Sequence, residues 1–395
     1  MTTGSFELIK NLNTSCILEA IREKHTISRA DIARQTGLTP ATVSNITAEL
    51  MDLGLVIETE RGASSGGRKP VLLSIRAEVC YFAGVHISSD LLEVAVADAD
   101  AHILWQCSSA MHRGVQHTRA LELAIRQIRR GMKESGVSAI SGIGVCVHGL
   151  VRGEDDLLVF APNLGWENVR VGDVLESEFN VPVVVENDVR AMTLAENWCG
   201  FARNVRDYVY LYIGPGIGGS IVLNNELYKG TGGFAGEFGH NTIDPEGPLC
   251  TCGNRGCLQA LASETTLLEG YIRRKNDPAY ADCTFGQMVR NAKQGDADAI
   301  EQITRGARYI GVEVANIINA LSPALIVING RITGFGNAVM TIIDDEVRRR
   351  GLKYSQNFTR IVFSHLGERA PLEGAATCIV RELFASPKKF LSTQK

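Results

Sequence analysis

The sequence predicts an α/β protein in two parts, an N-terminal winged helix-turn-helix followed by a longer body of two strand-and-helix lobes. Three observations predict this. Residues 8–50 carry helical periodicity interrupted by cap and turn residues. From Tyr81 onward, β-rich runs alternate with helical stretches. The order of strands that begins at Tyr81 recurs from Tyr208. At 395 residues the chain exceeds one ordinary core, because domains run to roughly 100–200 residues.

The first helix is read from Leu8 to Glu23, where Ile9, Leu12, Cys16, Ile17, Ala20 and Ile21 fall at helical spacing. Ser28 followed by Asp31 resembles a capping box, Gly37 ends that second helix, Thr39 caps a third, and Pro40 suits its first turn. Two helices joined by a tight glycine turn form a helix-turn-helix, whose second helix enters the DNA major groove. Thr39, Thr42, Ser44, Asn45 and Thr47 are the small polar groups expected to reach bases or phosphates. Leu55–Thr59 and Pro70–Ile75 read as a hairpin wing, and Arg68 and Lys69 at its glycine-rich basic tip are expected in a minor groove. The winged domain is expected to span residues 1–76.

Beyond it, Tyr81–Ile87, Leu91–Asp98 and Ile103–Cys107 read as a three-stranded meander, followed by a helix from Thr118 to Glu134 and a buried strand, Ile143–Val147. Tyr208–Ile213, Gly218–Leu223 and Leu325–Ile328 repeat the strand order. Two lobes with a cleft between them are the default setting for a small ligand.

Composition limits the function. A net charge of −4 supplies no global basic field, so any DNA contact is local. The N-terminus lacks the basic start and apolar run of a signal peptide, and no window approaches the roughly 18 apolar residues of a membrane span. A cytoplasmic protein with no membrane partner is expected.

Ten cysteines in a reduced compartment suggest metal binding where they cluster. Cys16, Cys80, Cys107, Cys146, Cys199, Cys283 and Cys378 are scattered in apolar settings and read as packing residues. Cys250, Cys252 and Cys257, with His240 upstream, sit in a turn-rich loop. A catalytic metal, a structural metal, a redox pair and chance are the readings open to that loop. Three thiolates and an imidazole form a closed tetrahedral set for Zn²⁺, which leaves no position for a reactive water and favours a structural zinc. Cys-x-Cys spacing suits a redox pair poorly.

These features, with the motif Gly236-Glu237-Phe238-Gly239-His240, resemble the ROK family (repressors, open reading frames and sugar kinases) along essentially the whole chain. The likeness is strongest to its winged-helix branch of xylose and N-acetylglucosamine repressors. The resemblance implies an actin-like, sugar-kinase-type (ribonuclease H-like) domain. Its small lobe would cover residues 77–190, completed by a C-terminal helix at about 373–390. Its large lobe would cover 191–372, with the zinc loop and an oligomerisation surface. His240, Cys250, Cys252 and Cys257 match the family's zinc ligands. Asn187 and Asp188 match the sugar-holding pair, whose aspartate is the base in kinases of the family, and Asn163 and Glu237 match further sugar ligands. His240 is expected to add a contact through its other ring nitrogen. Gln259 stands where the family usually has a glutamate that touches the sugar.

ATP-using relatives carry an Asp-x-Gly-Gly-Thr turn after the first strand, but here His86, Ser88 and Ser89 replace the aspartate and glycines, and Asp90 replaces the threonine. Pro215 stands in the second phosphate turn, where it offers neither hydroxyl nor N–H. The expectation is therefore not an enzyme but a sugar-responsive repressor, a homodimer or homotetramer on operator DNA. Its effector would be xylose, glucose or a related monosaccharide. A sugar kinase with an appended regulator, and a repressor controlled by a partner protein, are the alternatives.

Overall fold

The computed structural model describes residues 3–61, 70–112, 114–152, 157–161 and 163–391. Helix α1 (Thr3–Lys24) leads into a two-residue strand β1 (Ile27–Ser28), then α2 (Arg29–Thr36) and α3 (Pro40–Asp52). Local chemistry places each boundary. Ser28 Oγ accepts the Asp31 N–H at 3.2 Å while its hydroxyl donates to the Asp31 carboxylate at 2.7 Å, so the cap is reciprocal through the side chains. Gly37 closes α2 in the left-handed region at φ 72°, and Thr39 caps α3 with Pro40 in its first turn. Strands β2 (Val56–Arg61) and β3 (Val71–Ile75) pair antiparallel, and β3 also pairs with β1. Two residues carry no periodicity, which is why β1 is absent from the sequence reading.

The next strands follow the expected meander: β4 (Tyr81–Ile87), β5 (Leu91–Asp98) and β6 (Ile103–Ala110). Helix α4 (His117–Ser135) and strand β7 (Gly142–Val147) follow. A small antiparallel sheet not read from the sequence comes next, formed by β8 (Leu150–Arg152), β9 (Leu157–Ala161) and β10 (Trp166–Val169). Helix α5 (Val171–Phe179) and β11 (Val183–Asn187) complete a five-stranded sheet in the order β11-β7-β4-β5-β6. β7 runs parallel to both β4 and β11 and is buried along its whole length. Edge strand β6 alternates half-buried and exposed residues. Central parallel strands covered on both faces are apolar throughout, whereas an edge strand keeps a wet face.

After α6 (Asp188–Cys199), the second sheet is assembled by the same rule. It comprises β12 (Tyr208–Ile213), β13 (Ile217–Leu223), β14 (Glu226–Leu227), β15 (Leu325–Asn329) and β16 (Arg360–Phe363), in the order β14-β13-β12-β15-β16. Its central β12, like β4, is antiparallel to its hairpin partner and parallel to the strand reached through helices. Those helices are α7 (Leu258–Ala262), α8 (Glu264–Lys275), α9 (Phe285–Lys293) and α10 (Ala297–Leu321). Then α11 (Asn337–Arg350) leads to β16. Val209, Leu211, Ile326 and Ile328 pack with Ile303, Ile310 and Val314 of α10 in one apolar core.

The chain forms two compact units, Met1–Asp188 with Leu372–Lys395, and Val189–Pro371. The C-terminal helices α12 (Ala370–Ala385) and α13 (Pro387–Leu391) bring the chain end back to the first unit. A Cβ at Gly144 would overlap the Ala375 carbonyl, so glycine lets the α12 backbone lie directly on the sheet. Ser15 of α1 donates to the Phe384 carbonyl at 3.1 Å, and Lys388 pairs with Glu49 of α3 at 3.3 Å. The return helices therefore touch both the sheet and the winged domain.

Candidate functional sites

On α3, Ser44 and Asn45 are exposed, Thr42 is partly so, and Thr39 at its start is exposed. Ser44 and Asn45 lie on the helix face away from Val43, Ile46 and Leu50, which are buried. Thr47 is a correction. It is 0 % exposed, donates to the Ser44 carbonyl at 3.2 Å and accepts from Arg29 Nε at 3.2 Å. It packs the helix rather than reading a groove, because Arg29 from α2 covers it. Arg68 and Lys69 lie outside the described residues.

The cysteine loop is built by turns. Gly256 has φ 64°, and a Cβ there would overlap the Asp244 carbonyl, so glycine is required on both counts. The Ile243 N–H donates to the Gly256 carbonyl at 2.8 Å and the Cys250 N–H to the Asn254 carbonyl at 2.7 Å. These bonds fold the loop so that one ligand atom from each of His240, Cys250, Cys252 and Cys257 lies within 4.8 Å of the others. Cys252 and Cys257 Sγ are 3.7 Å apart, and Cys250 Sγ is 3.7 Å from His240 Nδ1. A tetrahedral ion with metal–sulfur bonds of about 2.3 Å sets ligand atoms roughly 3.8 Å apart, so the cluster fits one metal ion. Burial and the neighbouring thiols push Cys257 up to about 12, while a backbone hydrogen bond from Asn254 pulls Cys252 down. A cation is what allows all three sulfurs to be thiolates together. The loop is anchored from behind by Asn241, which donates to the fully buried Glu313 of α10 at 2.6 Å.

The expected sugar residues fall into two sets. In the first unit, Asn187 ends β11 and Asp188 begins α6, where the helix N-terminus favours a carboxylate. Asp188 is 4 % exposed and accepts from Asn187 Nδ2 at 3.1 Å through Oδ1. Its Oδ2 lies 3.0 Å from His148 Nδ1. The other nitrogen of that ring, Nε2, lies 3.0 Å from Asn163 Nδ2. Asn163, Asn187 and Asp188 are thus brought together, and His148, which the sequence reading missed, joins them. The available signal was its position immediately after β7, since residues at the C-terminal ends of neighbouring parallel strands are where such sheets hold ligands.

In the second unit, Glu237 is exposed and immediately precedes the single turn Phe238–His240. Gln259 accepts the Ile217 N–H at 3.1 Å and donates to Thr251 Oγ1 at 3.3 Å. It braces the cysteine loop against the start of β13, and those two bonds use one of its N–H groups and one lone pair of its carbonyl oxygen.

Both turns that align with the kinases' phosphate turns are engaged in the chain's own hydrogen bonds. His86 Nδ1 is 2.9 Å from Glu93 Oε2 across the β4–β5 pair, and Ser88 donates to Asp90 at 3.1 Å. The Pro215 carbonyl accepts from Thr265, and the Gly214 carbonyl from the Glu264 N–H. Glu264 is 4 % exposed; burial, partly offset by Arg331, raises its pKa to about 7. Among the described residues, no helix is long and apolar enough to cross a membrane.

Residues 82–382 match the ROK family, and residues 17–57 match a winged helix-turn-helix DNA-binding domain. The chain is 30% identical over 396 residues to a xylose repressor of Caldicellulosiruptor bescii, covering 98% of this chain and 99% of that one. Among solved structures, a ROK family transcriptional regulator described as a homologue of the Escherichia coli MLC protein superposes with a TM-score of 0.84 at 27% identity. That match covers 97% of this chain and 99% of the other. A ROK family glucokinase from Streptomyces griseus, in complex with glucose and AMPPNP, superposes with a TM-score of 0.66 at 26% identity, covering 75% of this chain and 98% of that one. With a family match over most of its length, preceded by the winged DNA-binding domain, the chain belongs to the ROK family.

Proposed function

We propose that the protein is a sugar-responsive transcriptional repressor acting in the cytoplasm. The observation that carries this reading is that its likeness to a xylose repressor runs the length of the chain, helix-turn-helix included. Thr39, Thr42, Ser44 and Asn45 contact operator DNA, with Arg68 and Lys69 at the wing tip. A monosaccharide such as xylose or glucose is the effector, held by Asn163, Asn187 and Asp188. Glu237, His240 and Gln259 are the further contacts that the resemblance implies. A dimer sets two reading helices on half-sites of a pseudo-palindrome. The sugar shifts the population between operator-binding and released forms by binding them with different affinity.

The metal is Zn²⁺, held by His240, Cys250, Cys252 and Cys257. Four protein ligands leave no open position, so its role is structural. Likeness to a glucokinase over three quarters of the chain favours a second reading, a sugar kinase. Against it stand the carboxylate of Asp90 and the paired His86 in the first phosphate turn, and Pro215 in the second.

The test is a thermal-shift panel of monosaccharides, followed by an operator-shift assay with whichever sugar stabilises the protein. Release of DNA by that sugar, without ATP turnover, is the expected result. Steady phosphorylation of a monosaccharide at the expense of ATP would overturn the repressor-only reading.

A further inference from the structure

We infer that His148 is a positioning and specificity-determining residue of the sugar site, orienting Asn163 and Asp188 for an uncharged polyol. The inference rests on the sugar reading above and deepens it. His148 follows β7 and Asp188 follows β11, two strands paired in parallel with Asn187 opposite Val147. The register sets the two side chains beside one another, and Nδ1 lies 3.0 Å from Asp188 Oδ2. A carboxylate only accepts, so Nδ1 carries the proton and donates. Nε2 is then a bare lone pair, 3.0 Å from Asn163 Nδ2, which donates to it.

One tautomer thus satisfies both contacts and fixes two orientations. The Asn163 amide has its N–H engaged and its carbonyl oxygen left as an acceptor. The Asp188 carboxylate is held between His148 on Oδ2 and Asn187 on Oδ1. Asn163 Oδ1 and the Asp188 carboxylate are acceptors, the second a buried negative charge. Adjacent hydroxyl donors suit them, and a phosphate or carboxylate on the same part of the sugar is repelled. His148 is about a third exposed, so the ring lies between the buried carboxylate and the accessible asparagine.

Substitutions separate the two halves of the relay. In His148→Asn the amide nitrogen occupies roughly the place of Nδ1 and keeps the Asp188 contact. In His148→Gln the amide oxygen occupies roughly the place of Nε2 and keeps the Asn163 contact. Titration calorimetry of the full-length protein with xylose, glucose, glucuronate and glucose 6-phosphate reads affinity and selectivity, and melting without sugar reports the fold.

The wild type is expected to prefer the neutral sugars. His148→Ala should lose about tenfold or more in affinity for them, on the order of 1.4 kcal/mol, with Asn and Gln each restoring part of the loss. Adding Asn163→Ala to His148→Gln should remove the part that Gln restored. Variants that bind every sugar as the wild type does, or a wild type that prefers the charged sugars, would overturn the inference alone. A wild type that binds no sugar overturns it together with the sugar reading.

Discussion

Cys252 and Cys257 hold their sulfur atoms 3.7 Å apart, well beyond the roughly 2.05 Å of a disulfide and close to the edge of a tetrahedral metal site. Purified protein is therefore expected to carry about one zinc per chain, measured by elemental analysis. Cys257→Ser should lose most of it, because that ligand is fully buried and no water replaces it. Chelation of the wild type should lower the melting temperature by several degrees, since metal binding is folding free energy for the loop. Full zinc content in Cys257→Ser would remove that residue from the site.

The Asn241–Glu313 bond ties the same loop to α10. Glu313→Ala removes the acceptor of an exposed amide that water can rehydrate, so the expected loss is that of one net hydrogen bond, about 0.5–1.5 kcal/mol. Urea denaturation should show that loss, and zinc should leave the variant faster on chelation than it leaves the wild type. Equal stability and equal release rates would show that the anchor is dispensable.

Glu264 makes stability pH-dependent in a defined direction. Burial raises its folded pKa to about 7, from 4.5 for the free group. Its environment therefore disfavours the ionised form, and the associated stability is fully present below pH 4.5 and lost as pH rises through about 7. Glu264→Gln should be near neutral at the acid end of that window and stabilising above it, by up to about 3 kcal/mol. Denaturation midpoints measured at the two ends of the window decide the matter; a pH-independent difference would contradict it.

On the reading helix, burial separates two residues that look alike in sequence. Asn45→Ala should weaken operator binding about tenfold with melting unchanged, as expected for loss of a base or phosphate contact. Thr47→Ala should instead cost about 1 kcal/mol of stability, because Arg29 loses its acceptor. A fluorescence-anisotropy titration paired with thermal melting distinguishes them, and the opposite pattern would place Thr47 on the DNA face.

Much of this protein is local and was therefore legible. Ser28, Gly37, Thr39 and Pro40 place helix boundaries through hydrogen bonds and dihedral preferences that span only a few residues. The strands from Tyr81 and from Tyr208 announce themselves by apolar runs, because central strands are covered on both faces. The cluster of His240, Cys250, Cys252 and Cys257 could be named because one turn-rich loop supplies all four. The tertiary structure decided the rest. Which face of α3 is covered depends on where Arg29 of α2 lands, and that removed Thr47. The β8–β10 sheet is made of strands too short to carry a pattern. That Gln259 is a brace follows from the approach of Ile217 and Thr251. His148, Asn163 and Asp188 come from separate segments, and only the parallel pairing of β7 with β11 and the fold-back after β9 set them within hydrogen-bonding distance. Spacing along a chain encodes contacts within a turn or a loop; contacts across a sheet are set by register.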